Sequence, residues 1–102
     1  KPEFVLDLHG MNTVKAKKKS IEFIRSNYFN GKRLLLIITG KGKSSKTSFS
    51  DNGNQIGIIR KSLKSWLYES DMRTKILGIV SSHIIHGGEG AYYIYLKKNK
   101  NL

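Results

Sequence analysis

Asp7 and His9 place an acid and an imidazole two residues apart, at the end of a short apolar run near the start of the chain. Residues two apart on a strand project from the same face of a sheet, so these side chains are predicted to be neighbours. Such a pair can act as general base and general acid, or bind a metal ion. The alternative is structural: Asp7 braces a neighbouring turn, and His9 is a hydrogen-bonded core histidine.

A second segment with chemical potential, Thr39-Gly40-Lys41-Gly42, follows a continuous aliphatic run. Glycines let the backbone approach a phosphate, exposed N–H groups bind its oxygens, and Lys41 supplies positive charge. The segment is not a Walker motif, because Ile37 occupies the position of the first glycine. It is not a dinucleotide fingerprint either, because Ser45 replaces the third glycine. The alternative to a phosphate site is a flexible glycine turn.

A third glycine-rich segment, His86-Gly87-Gly88-Glu89-Gly90, precedes the last predicted strand. It predicts either a close backbone approach to a phosphate or a wide hairpin with positive-φ glycines. On the strand that follows, Tyr93 and Tyr95 share one face and Tyr92 takes the other. An exposed set of these rings could stack on unpaired bases, whereas packing against the sheet is the explanation we expect.

The excess of positive charge limits the classes of molecule that this chain is expected to bind. Lysine and arginine number 19 against 7 aspartate and glutamate, so the formal net charge is +12. That excess favours polyanions, namely DNA, RNA or an anionic membrane surface. A membrane role would need a large apolar face open to lipid, which the sequence does not demand, so nucleic acid is the expected partner. The alternative is that the lysines only keep the protein soluble.

Length and composition exclude several classes of protein. A chain of 102 residues fits one domain, predicted over 1–102. The lack of cysteine excludes disulfide scaffolds and thiolate chemistry, and the longest aliphatic run, Leu34 to Ile38, is too short to span a membrane. No signal peptide is visible, which predicts a cytoplasmic protein. Because the chain opens on Lys1 rather than Met, we expect it to be part of a longer protein.

Apolar patterning predicts four strands and two helices in the order β-α-β-α-β-β. The predicted strands cover 4–8, 33–38, 76–81 and 91–97, and the predicted helices cover 13–30 and a stretch from 56 onward. Thr13 is the expected cap of the first helix, and its buried stripe is predicted at Val14, Ile21, Ile24 and Tyr28. The stretch 39–55 is predicted as a long loop and 98–102 as a short basic tail.

This order predicts an α/β (α+β) two-layer sandwich, with a mixed four-stranded sheet and both helices on one face. The last two strands are expected to form a hairpin. Ligands of such sheets bind beyond the carboxyl ends of parallel strands. The first two strands therefore deliver Asp7, His9 and the segment Thr39-Gly40-Lys41-Gly42 to the same edge.

In these segments the chain resembles the Smr (small MutS-related) domain family, over nearly its whole length. The final glycine-rich motif and the Trp66-Leu67 helix look like the stand-alone proteobacterial type. The resemblance rests on four motifs in order: Leu6-Asp7-Leu8-His9-Gly10; Ile38-Thr39-Gly40-Lys41-Gly42; Gly57-Ile58-Ile59-Arg60 with Trp66-Leu67; and His86-Gly87-Gly88-Glu89-Gly90-Ala91 running into Tyr93-Ile94-Tyr95-Leu96-Lys97.

The resemblance implies a fold like the C-terminal domain of translation initiation factor 3. It also implies a nuclease or nucleic-acid-binding role, since family members nick DNA and some cleave RNA. Asp7 and His9 would carry the chemistry, and Lys41 would be a phosphate ligand. One departure concerns the His-Ser pair that many relatives carry shortly after the second motif, because Lys43-Ser44-Ser45 stands here.

We therefore expect an endonuclease of the nicking type, acting on DNA or RNA and serving DNA repair or recombination. His9 is expected to be general base or acid, and Asp7 to orient it or help hold a divalent cation, Mg²⁺ or Mn²⁺. The expected substrate contacts are Gly10, Thr39, Gly40, Lys41, Gly42, Lys43, Arg60, His86, Gly87 and Gly88. The alternatives are a non-catalytic module for branched DNA or RNA and, by fold analogy alone, translation-linked RNA binding.

Overall fold

The computed structural model describes residues 1–40, 51–82 and 90–101, with the side chains of 51–56 excepted. A short 3-10 helix, Arg73–Lys75, leads into the third strand. The four strands and two helices appear in the predicted order. They are β1 (Phe4–Asp7), α1 (Thr13–Phe29), β2 (Leu34–Ile38), α2 (Asp51–Glu69), β3 (Ile76–Ser82) and β4 (Ala91–Leu96).

The strands form one mixed sheet in the order β1-β2-β4-β3. β1 and β2 are parallel, and β4 is antiparallel to both β2 and β3. The predicted mixed sheet and the hairpin of the last two strands are confirmed. The insertion of β4 between β2 and β3 was not predicted. It makes β4 a central strand, as suits the fully buried Ala91 and Ile94.

One face of the sheet packs against both helices, as predicted. Leu35 and Ile37 of β2 and Ile94 of β4 have no exposed surface and belong to a single apolar core with residues of α1 and α2. Each fully buried side chain of this size contributes about 1.5–3 kcal/mol to folding. The helix residues of that core are Ala16, Ile24, Tyr28, Ile59, Leu63 and Leu67.

The start and the buried stripe of α1 differ from prediction. The cap is Asn12, whose Oδ1 accepts the backbone N–H of Lys15 at 2.8 Å, and not Thr13. Val14 is 79% exposed, whereas the small residues Ala16 and Ser20 are fully buried. Ile24 and Tyr28 of the predicted stripe are buried, and so is Ala16, which the spacing places beside it. The spacing therefore located the buried side of α1 but wrongly included Val14.

Two predicted segment boundaries also need correction. The loop predicted over 39–55 was too long, because α2 begins at Asp51. The first turn of this helix is polar, so apolar periodicity could not reveal it. Within the predicted tail 98–102, Asn99 is buried against the domain, and its side-chain amide donates to the carbonyl of Tyr28 at 3.2 Å.

Neither α1 nor α2, within the portion of the chain that the structure describes, is long and apolar enough to cross a bilayer.

Candidate functional site

The turn between β1 and α1 carries the acid and the imidazole. The carboxylate of Asp7 accepts the backbone N–H of His9 through Oδ1 at 2.9 Å. Between them, Leu8 is fully buried, and its N–H donates to the carbonyl of Ile38 at 2.8 Å. Gly10 follows with a φ of +81°, a conformation that favours glycine. The alternation of strand and turn thus buries Leu8 and leaves the two chemical residues outside.

Both Asp7 and His9 are exposed. The structural alternative for His9, a core histidine, is therefore wrong, whereas the bracing contact expected of Asp7 is present. The contact runs from the carboxylate to the backbone of His9, so Asp7 fixes the position of the residue that carries the imidazole. The same carboxylate retains a second oxygen for another partner.

The end of β2 is bonded to the start of β4. Thr39 is fully buried, and both its backbone N–H and its hydroxyl donate to the carbonyl of Gly90, at 2.6 and 3.1 Å. The N–H of Gly40 reaches the same oxygen at 3.4 Å, and Gly40 has a φ of +103°. A Cβ at position 90 would lie 2.0 Å from the carbonyl oxygen of Gly40, so only glycine fits there. We call this contact the Thr39–Gly90 junction.

Three sequence motifs meet at this edge of the sheet. The bond from Leu8 to Ile38 joins the first motif to β2, and the Thr39–Gly90 junction joins the second to the third. Strand direction predicted the meeting of the first two. The third arrives because β4 runs antiparallel beside β2, which puts its start at the carboxyl end of β2.

Six of the predicted substrate contacts lie outside the described residues. Gly10, Thr39 and Gly40 are described and flank the edge, and Arg60 is described on α2. The six are Lys41, Gly42, Lys43, His86, Gly87 and Gly88.

Arg60 lies on the helix side of the same edge. Its backbone carbonyl accepts the hydroxyl of Tyr92 at 3.3 Å. Tyr92 pairs with Ile37 in the sheet and stands two residues from Gly90. Arg60 also lines a shallow cavity of about 370 Å³ together with Gly57, Lys61 and Tyr92. Asp7 lies on the other face of the sheet, since the buried Leu8 takes the helix side.

The described residues contain no group of three or more histidine, aspartate or glutamate side chains able to hold a metal ion. Asp7 and His9 are the described candidates for a divalent cation at this edge. The carboxylate of Asp7 fits part of the oxygen coordination sphere of Mg²⁺, which water and substrate phosphates usually complete.

A second basic region lies at the opposite end of the sheet. It includes Lys98 and Lys100 of the predicted tail. Its side chains line a cavity of about 430 Å³ beside Tyr28, and the ammonium of Lys75 lies 5.3 Å from the centroid of the Tyr28 ring. Arg33 anchors this end by donating Nε to the carbonyl of Leu96 at 2.9 Å. We call the region the C-terminal basic cluster: Lys75, Lys97, Lys98 and Lys100.

One carboxylate at that end has a shifted titration. Glu3 accepts the backbone N–H groups of Arg33 and Leu34 through Oε1, at 2.6 and 3.0 Å. These two hydrogen bonds hold the pKa of the Glu3 carboxyl below its ordinary value of 4.5, with help from the nearby charges of Lys32 and Arg33.

The chain resembles known proteins in sequence motifs and in fold. The family model described as Smr domain matches residues 6–97. No match is found among curated proteins. Among solved structures, the chain is similar to YdaL, a stand-alone small MutS-related protein from Escherichia coli, with a TM-score of 0.75 and 28% identity over 94% of this chain and 69% of that one. The Smr domain of Thermus thermophilus MutS2 has the same fold, with a TM-score of 0.69 and 17% identity over 91% of this chain and 96% of that one.

Proposed function

The chain belongs to the Smr domain family, and on that premise we propose that it is an endonuclease that nicks phosphodiester bonds of DNA or RNA. Smr domains are nucleic-acid-associated modules. The net charge of +12 suits a polyanionic substrate. We extend the proposal to a role in DNA repair or recombination.

The observation that carries the proposal is an exposed acid and imidazole beside the Thr39–Gly90 junction. Hydrolysis of a phosphodiester needs a proton acceptor and donor that water and substrate can both reach, and exposed His9 satisfies that condition. It also needs donors that stabilise charge on the phosphate oxygens. We assign this role to the backbone N–H groups of Gly42, Gly87 and Gly88, as their glycine-rich motifs predict.

In the proposed reaction, the oxygen of a water molecule forms a bond to phosphorus as the bond to the leaving sugar oxygen breaks. His9 accepts the proton of the attacking water or donates one to the leaving oxygen. Asp7 is a positioning residue, because its carboxylate holds the backbone of His9. Lys41 and Arg60 bind the substrate phosphates. A divalent cation held by Asp7, with His9 left free to transfer the proton, would polarise the phosphate as a Lewis acid.

One observation favours the second candidate, a non-catalytic module for branched DNA or RNA. The carboxylate of Asp7 braces the turn through the His9 backbone, which is a structural role that needs no chemistry. On this hypothesis the same edge binds phosphates without cleaving them. The affinity for nucleic acid then decreases as the salt concentration rises, and it weakens uniformly when lysines are removed.

Cleavage by the purified chain distinguishes the two. Supercoiled plasmid and structured RNA are incubated with Mg²⁺, Mn²⁺ or EDTA, and nicked and linear products are separated on gels. His9→Ala is expected to abolish nicking. Asp7→Asn keeps an oxygen that can accept the His9 N–H but removes the negative charge. It therefore distinguishes the hydrogen bond that positions His9 from the effect of the carboxylate charge on nicking. Lys18→Ala, on the exposed face of α1, is the control.

A nicking rate of His9→Ala equal to that of the wild type would show that His9 has no catalytic role. Binding of either nucleic acid without cleavage under every metal condition would establish the non-catalytic module instead.

A further inference from the structure

Within residues 1–40, 51–82 and 90–101, no helix packs on the second face of the sheet, which carries aromatic side chains around Leu36, itself 3% exposed. Along β2, Leu35 and Ile37 enter the core with the helices, so Leu36 faces the other way. Leu36 pairs with Val5 of β1 and Tyr93 of β4, and Tyr93 pairs with Val80 of β3. Val5 and Val80 are 51% and 52% exposed. We call this surface the open face.

Two tyrosines form a platform on the open face. Tyr93 and Tyr95 alternate with the buried Ile94, and their ring centroids lie 6.4 Å apart with an angle of 42° between the planes. Tyr95 is 42% exposed. Such rings are predicted to pack against the sheet, and the ring of Tyr92, on the helix side, packs against the core. Tyr95 instead presents much of its ring to solvent.

The platform leads towards Asp7. In the sheet register, Asp7 pairs with Ile38, and Ile38 pairs with Ala91, so Asp7 stands one side-chain row beyond Tyr93 and two beyond Tyr95. Rows on one face of a sheet are roughly 7 Å apart. A chain that runs from Tyr95 past Tyr93 and crosses β2, roughly 10 Å sideways, therefore reaches Asp7 on β1.

We propose that the open face binds an unpaired strand of the substrate, with bases stacked on Tyr93 and Tyr95 and the backbone leading to Asp7 and His9. The inference rests on the proposed function and names its substrate class: nucleic acid with a single-stranded segment next to the cleaved bond. Bases of any sequence stack on aromatic rings. Four-stranded sheets backed by helices bind unpaired bases through aromatic residues on their open face.

The positive net charge favours a nucleic-acid strand over a second copy of the chain as the molecule bound to the open face. Two chains that each carry a net charge of +12 repel one another face to face, whereas a nucleic-acid backbone is attracted. Lys97 is exposed and continues the alternation of Tyr93 and Tyr95 beyond the end of β4. It can follow the phosphates of a strand whose bases lie on the two rings.

Removal of one ring tests the proposal. Binding of a fluorescein-labelled oligothymidine and of a blunt duplex is measured by anisotropy at one salt concentration. Tyr95→Ala is expected to weaken oligothymidine binding roughly 5- to 100-fold and to leave duplex binding within about twofold. Tyr95→Phe keeps the ring and should bind as the wild type does. Tyr68→Ala is the control, since Tyr68 is 39% exposed but lies on α2.

A charge placed on the open face provides an independent variant. Val80→Glu puts a carboxylate beside Tyr93, where it repels the phosphates of a bound strand. Val14→Glu makes the same charge change at an exposed position of α1. Val80→Glu is expected to weaken oligothymidine binding at least about fivefold more than Val14→Glu does. Circular dichroism of each variant establishes that it is folded.

Equal effects of Tyr95→Ala and Tyr68→Ala, or equal losses on duplex and single strand, would overturn the inference while leaving the proposed function standing. So would sedimentation showing that the wild type is a dimer and Tyr95→Ala a monomer, which would assign the open face to a second copy. Failure of the proposed function looks different, because the wild type would then nick neither plasmid nor RNA, whether or not it binds the oligothymidine.

Discussion

Thr39 and Gly90 are joined by two hydrogen bonds to one oxygen: the backbone N–H and the hydroxyl of Thr39 both donate to the Gly90 carbonyl. The two residues are 51 positions apart in the chain. The bonds tie the carboxyl end of β2 to the beginning of β4 and hold Thr39 and Gly40 against Gly90. The geometry of the candidate site therefore depends on a buried threonine as well as on its exposed chemical groups.

Replacement of the Thr39 hydroxyl by a methyl group should loosen this junction. Thr39→Val is expected to lower the free energy of unfolding by about 0.5–1.5 kcal/mol, because a buried hydrogen bond is lost while the N–H still satisfies the carbonyl. Urea denaturation measures the change. Thr74→Val, at an exposed threonine, should stay within about 0.5 kcal/mol of the wild type. Equal effects of the two changes would mean that the hydroxyl bond contributes nothing.

A methyl group at position 90 meets a fixed obstacle. Gly90→Ala is expected to cost more than about 2 kcal/mol of folding free energy, since its Cβ would overlap the backbone of Gly40. Gly57→Ala is the matched control, because nothing lies within 4 Å of a Cβ there and the position is helical. It should stabilise by about 0.5–1 kcal/mol. Thermal unfolding of both variants checks the opposite signs.

The stability of the domain should depend on pH through Glu3. Its pKa is lower in the folded chain than its ordinary value of 4.5, so the folded state favours the ionised carboxyl. That contribution is present above pH 4.5 and is lost as the pH falls through the folded pKa. Glu3→Gln removes the titration, so its stability should fall less than that of the wild type on acidification. Urea midpoints at neutral and acidic pH measure this, and parallel curves would contradict it.

The two groups of lysines should differ in their effect on nucleic-acid binding. Lys97, Lys98 and Lys100 all line one cavity, whereas Lys17 to Lys19 lie exposed along α1. Changing either triplet to glutamine removes the same charge. Loss of the first triplet is expected to reduce the slope of log affinity against log salt by about 0.9 for each phosphate contact removed, and loss of the second by less. Identical slopes would assign both groups to solubility alone.

Much of the fold was predictable because the local patterns are strong. Leu35 and Ile37 from the aliphatic run of β2 lie in the core, together with Ile59, Leu63 and Leu67, which recur every four residues along α2. The stripe of α1 was placed less well, because helical spacing included Val14, which is exposed, and left out Ser20, which is buried. Which row of a helix is buried depends on its neighbours, and periodicity alone does not name them.

The candidate site was predictable in its residue types and in part of its placement. Parallel β1 and β2 bring Asp7 and Thr39 to one edge by direction alone, and that follows from element order. The exposure of His9 did not follow, since an imidazole after a strand suits either a core or a solvent position. The turn after β1 decided it, because it buries Leu8 against the sheet and leaves His9 exposed before Gly10.

The order of elements, the excess of positive charge and the chemical groups at the edge follow from residue identity and local periodicity. The position of β4 between β2 and β3, the contact of Gly90 with Thr39 and the exposure of Tyr95 on the open face arise only in the folded chain. Hydrogen bonds and burial between residues far apart in the chain select strand neighbours, and no local pattern records them.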